Sequence, residues 1–168
     1  MPVRAIVSYP DALLRTPCAG VTRFDRELRD LATDLLDTMR AAPGIGITAA
    51  HIGILKRLVV IELSADDGVR TYVNPRIAEA SQEKTRHTEG SVSMPGATEE
   101  VERAARVRVR YQDLDGQEHV EEADSLLAIC LQHEIDQLDG IFWLQRLSRL
   151  KRERVVKRYE KSRRLDTK

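Results

Sequence analysis

Between Asp124 and Gly140 the apolar residues Leu126, Leu127, Cys130 and Leu131, at helical spacing, lead into Gln132-His133-Glu134-Ile135-Asp136-Gln137. Asp124 or Ser125 can cap such a helix and Gly140 can close it. Positions 133 and 137 lie one turn apart and face the same way, so two side chains there can grip one ion. In the familiar zinc version of this spacing both ends are His, and a Glu beside the first acts as general base on a metal-bound water. Here the second end is Gln137. On its own, a His–Glu pair on an apolar helix is more often a satisfied structural pair than a site.

Around this helix the chain reads as one domain over residues 1–168, long enough to bury a core without disulfides or a metal as staples. Leu28, Leu31, Ala32, Leu35, Leu36 and Met39 mark an amphipathic helix from Asp25 to Arg40, stopped by Pro43 and Gly44. Arg57–Leu63 and Thr71–Pro75 read as strands joined in a hairpin through Asp66-Asp67-Gly68. Val101–Tyr111 reads as one half-exposed strand, with Val107, Val109 and Tyr111 on one side and Arg106, Arg108 and Arg110 on the other; Asp115-Gly116 then turns the chain back. The layout of helix, antiparallel strands, helix and tail predicts an α+β fold.

No stretch approaches the roughly 20 apolar residues of a membrane-spanning helix, so no membrane partner is expected. The opening Met1–Val7 has neither the apolar core of a secretory signal nor the bias of a transit peptide, which points to a cytoplasmic protein. Cys18 and Cys130 are too few for a disulfide framework and read as reduced thiols. Charge is unevenly spread: residues 146–168, expected as a basic helix from about Leu147, hold 11 Lys/Arg against 3 Asp/Glu in a chain whose 27 basic and 27 acidic residues balance. Such a run is by default a solvated face. His87 and His119 have no partners at informative spacing and read as exposed strand or turn residues.

Two further segments accompany the helix: Gly44-Ile45-Gly46-Ile47-Thr48-Ala49-Ala50-His51, and Glu89-Gly90-Ser91-Val92-Ser93-Met94-Pro95-Gly96. Together the three resemble the peptide deformylase family, whose motifs read approximately Gly-x-Gly-Leu-Ala-Ala-x-Gln, Glu-Gly-Cys-Leu-Ser and Gln-His-Glu-x-Asp-His-Leu-x-Gly, in this order. The resemblance extends to Tyr9-Pro10-Asp11, Leu14-Arg15, Asn74-Pro75, Arg103 and Arg146–Arg152. It implies a peptide-deformylase-like fold and a protein that acts on the N-terminal formyl-Met of nascent peptides.

By position, the resemblance makes Ser91, His133 and Gln137 the metal-ligand set and Glu134 the general base. Gly46, His51 and the backbone N–H of Val92 become the oxyanion and substrate-binding positions. The family uses Fe2+, replaceable by Zn2+ or Ni2+, held by one Cys and two His. A protonated serine hydroxyl and an amide carbonyl donate far more weakly, so the expectation is no tightly bound ion and no conventional hydrolysis. Two catalytic alternatives stand beside this: Ser91 as a nucleophile activated by His133 or Glu134, or His51 as a replacement ligand in a rebuilt site. The resemblance also implies that the basic C-terminal helix docks on the ribosome, a phosphate-rich partner.

Overall fold

The computed structural model of the chain describes residues 3–166. Met1 and Pro2 of the opening segment, and Thr167 and Lys168 of the basic tail, lie outside the described residues. Helix α1 (Arg26–Ala41) starts where Asp25 accepts the Leu28 N–H at 3.1 Å, and it buries the expected stripe of Leu28, Leu31, Ala32, Leu35 and Met39. It packs on strands β1 (Gly46–Thr48) and β2 (Leu58–Ile61). The chain continues through β3 (Arg70–Ala80), β4 (Lys84–Ser91), β5 (Met94–Ala104), β6 (Arg106–Gln112) and β7 (Glu118–Asp124) to helices α2 (Ser125–Leu138) and α3 (Arg149–Asp166).

Two antiparallel sheets form, one in the order β1-β2-β3-β6-β7 and the other a β4-β5 hairpin. The expected β2–β3 pairing is present with Leu58 opposite Val73, although β3 runs on to Ala80. The single strand expected over Val101–Tyr111 is a misreading: Ala105 divides it into β5 and β6, which belong to different sheets. The physical cause is Gln132 on α2, whose Oε1 accepts the Ala104 N–H at 3.0 Å and whose Nε2 donates to the Ala104 carbonyl at 2.9 Å. A helix side chain thus takes both backbone groups at the corner, and the ladder ends there. Within β6 the expected alternation holds, with Val107 and Val109 buried and Arg106 and Arg110 exposed.

Helix α2 is buried on almost every side, against Val59, Ile61, Tyr72, Val107, Val109 and Ala123 of the large sheet. Helix α3 is different: it buries only Val155 and Tyr159, in a cluster with Met94, Val101, Phe142 and Trp143. Among the described residues no helix is long and apolar enough to cross a membrane. Cys18 and Cys130 are free and buried, and burial pushes their thiols up to about 11 and about 12.

Candidate functional site

A pocket of about 520 Å³ opens between the Ala42–Gly46 segment, the β4–β5 hairpin and α2. Gly46, His51, Ser91, Val92, His133 and Glu134 all line it, so six of the seven positions singled out from sequence converge. Leu126 and Ile129 make its apolar wall. Gly46 permits the convergence, because a Cβ there would sit 2.9 Å from Glu134 Oε1.

Gln137 is the exception. It lies outside the pocket lining, and its Nε2 donates to the Leu14 carbonyl at 2.7 Å. Spacing of one turn placed it beside His133, but the buried Leu14 carbonyl, left without a strand partner, draws the amide away. Ser91 faces the pocket at the end of β4, where its Oγ accepts the Ser93 N–H at 3.1 Å and braces the Ser91–Met94 turn. Among the described residues no hydrogen bond joins Ser91 to His133, Glu134 or His51.

The two imidazoles are held in opposite senses. His51 Nδ1 accepts the Thr48 backbone N–H at 2.9 Å, with the Thr48 hydroxyl at 3.0 Å from the same nitrogen. Burial, and then the charge of His133, lowers its pKa to about 3. His51 is therefore neutral with its proton on Nε2, and that buried N–H has no partner among the described residues. It is a donor aimed at whatever enters. His133 is turned the other way: Nδ1 meets Glu89 Oε1 at 2.8 Å, so it carries the proton and Nε2 is left toward Glu134, 4.0 Å from Oε1. Burial lowers the His133 pKa, but the Glu89 bond and the carboxylates beside it raise it further, for a net upward shift.

Glu134 Oε2 is the other buried pocket atom without a partner, and burial raises this carboxyl to about 7. A buried unsatisfied group costs about 1–3 kcal/mol, which a ligand or water in the pocket would relieve. Behind the pocket runs a charge chain, buried at Glu89, Arg103 and Asp136 and reaching the surface at Arg146. Arg103 bonds Glu89 in a bidentate pair at 2.7 and 2.8 Å and Asp136 at 2.7 Å, and Arg146 grips the same Asp136 at 2.8 and 2.7 Å. Burial would raise the Glu89 pKa, but the Arg103 and His133 bonds prevail and hold it at about 2.

Polypeptide deformylase is the family that matches, over residues 3–153. The chain belongs to the peptide deformylase family. A "Peptide deformylase-like" protein of Brucella melitensis is 68% identical over 161 residues, 96% of this chain and 98% of that one. A "Peptide deformylase" of Afipia carboxidovorans is 42% identical with full coverage of both chains. A crystal structure of a peptide deformylase from Legionella pneumophila superposes with a TM-score of 0.93 at 37% identity, covering 99% of each chain. The expected deformylase fold is thereby established, and deformylases normally work with a divalent metal.

Several residues of this deformylase-family pocket escape a reading of motifs alone. Thr48 sets the His51 tautomer, Asp136 and Arg146 complete the charge chain, and His87, an exposed residue of β4 as expected, also lines the pocket. Strand alternation places His87 on the same face of β4 as Glu89, a period-two signal that could have found it.

Proposed function

We propose that this member of the deformylase family binds the N-termini of nascent peptides in the cytoplasm without conventional metal-dependent deformylation. One observation carries it. Of the positions that the family resemblance assigns to the metal, Gln137 is tied to the Leu14 carbonyl and Ser91 to the Ser93 N–H, leaving His133 as a lone imidazole. The remaining donors do not fit a divalent ion: His51 presents an N–H, burial keeps the Cys130 thiol protonated, and among the described residues no three His, Cys, Asp or Glu side chains gather to hold a metal.

What the pocket's own residues do well is bind an amide. The His51 Nε2–H is placed to donate to a carbonyl oxygen, Glu134 Oε2 to pair with an N–H, and the apolar wall of Leu126 and Ile129 to pack against a side chain such as methionine's. A ribosomal contact through α3 is supported by its exposed Arg149, Arg152, Arg154 and Lys157, and cosedimentation with ribosomes that weakens with salt tests it.

The central test is elemental analysis of protein purified without oxygen, followed by incubation with a formyl-Met peptide and added iron, nickel or zinc. Substoichiometric metal, no turnover and saturable peptide binding are expected. Stoichiometric metal with metal-dependent turnover would replace this reading with an active hydrolase, and metal-free turnover lost in Ser91→Ala would assign the chemistry to Ser91. The double change Ser91→Cys with Gln137→His is expected to introduce divalent-metal binding.

A further inference from the structure

A second site lies on the solvent face of the large sheet, away from the pocket. Strands β3, β6 and β7 run side by side there, and two neighbouring cross-strand rows have contrasting charge. In one row Arg108 is opposite Glu79 on β3 and Glu122 on β7, and it bonds both, at 3.0 and 2.8 Å. In the next row Arg110 is opposite Arg76 on β3 and Val120 on β7. Both arginines are exposed, and neither meets a carboxylate or any other hydrogen-bond partner among the described residues. Val120 is itself 57% exposed. Like charges directly opposite across a strand pair are destabilising, so a row with two guanidinium groups and no counterion is stable only at some cost.

This row floors a groove of about 640 Å³, whose other polar side chains, Glu118 apart, are already engaged. Arg57 is matched by Asp139 at 2.7 Å and bonds the Pro75 carbonyl at 2.6 Å. Asn74, at φ 52° in the irregular stretch that brings Arg76 opposite Arg110, bonds the Val21 backbone and Gln112 Oε1. Gln112 Nε2 donates to the Gly116 carbonyl. Tyr111 stacks on His119, which is paired with Asp113 at 2.8 Å. Glu118 is the one carboxylate in the lining, set against the uncompensated Arg76 and Arg110.

We propose that this groove binds the phosphoryl group of a small molecule between Arg76 and Arg110. Two guanidinium groups facing one space offer paired N–H donors of the geometry that suits a tetrahedral oxyanion. The ligand is compact because the free guanidinium pair is bounded by Glu118 in the lining and by the next row, where Arg108 is already bonded to Glu79 and Glu122.

The test is calorimetric titration of the full chain with inorganic phosphate and with adenosine monophosphate, at constant ionic strength, beside melting curves. Saturable binding of both is expected, with similar affinity because the phosphoryl group is what the two guanidinium groups recognise. Arg76→Gln and Arg110→Gln are each expected to weaken it by about tenfold or more, while Arg108→Gln, in the compensated row, leaves it unchanged. Arg110→Glu, which recreates the Arg–Glu pairing of the neighbouring row, is expected to raise Tm without ligand and to abolish the ligand-dependent rise. No saturable binding by the native chain, an equal loss in Arg108→Gln, retained binding in Arg110→Glu, or tighter binding of a single-stranded RNA oligomer than of the nucleotide would each overturn the proposal.

Discussion

Arg103 and Arg108 each meet two carboxylates, yet they belong to regions with opposite physics. The Arg103 side chain is 4% exposed and bridges Glu89 and Asp136, whereas Arg108 is 39% exposed and bridges Glu79 and Glu122 on the open sheet face. Out of water, the first group cannot trade its partners for solvent, so its geometry is fixed and is transmitted through Glu89 to His133 in the pocket. The second is screened by water and salt and contributes little. The same residue types therefore build the frame of a site in one place and a replaceable surface pairing in the other.

The largest blow to this contrast is Arg103→Met, which leaves Glu89 and Asp136 buried without their shared cation; a loss of about 3–5 kcal/mol in urea unfolding is expected. A loss no larger than that of a surface substitution would erase the distinction. Glu134 sharpens it from the other side, as a buried carboxyl with no cation bonded to it. Its folded pKa of about 7 lies above the unfolded value, so the folded state holds the proton more tightly. Stability contributed by the protonated form is full below the unfolded pKa and declines as pH rises toward 7, by up to about 3 kcal/mol. Unfolding measured from pH 4 to 8 should show that decline, and Glu134→Gln should flatten it.

Next in size is Gly90→Ala, beside Glu89 in β4. Its Cβ would come 2.8 Å from the Ala97 carbonyl of β5, so the hairpin must shift, at about 1–3 kcal/mol and with weakened peptide binding in the pocket. Smallest is Arg108→Gln, expected to leave the urea midpoint unchanged, because an ion pair between exposed side chains in water contributes little and salt weakens it further. A large shift there would mean that the surface row carries structural weight after all.

Much of this molecule was legible in the sequence. The stripe of α1 and the apolar run of α2 are local periodicities that recur at nearly their expected bounds, and the alternation expected over Val101–Tyr111 holds in its second half, β6. What the motif glycines do was not legible in the same way, since the close approach of Gly46 to Glu134 and of Gly90 to the Ala97 carbonyl is set by other elements. The strand break at Ala105 was not legible, because the alternation continues across it while the Gln132 side chain that ends the ladder comes from a distant helix. Nor was the fate of Gln137: helical spacing gave its direction, but the Leu14 carbonyl that captures it is 123 residues away.

The sequence by itself determined the family, the periodic elements and the identity of the donors at positions 91, 133 and 137, since these follow from residue type and from spacing along the chain. Tertiary structure alone decided which nitrogen of His51 carries the proton, which carboxylate holds His133, and that Arg110 faces Arg76 where Arg108 faces Glu79. Hydrogen bonding and charge compensation depend on which groups meet in space and on how much water is left between them, and neither is encoded in the distance along the chain.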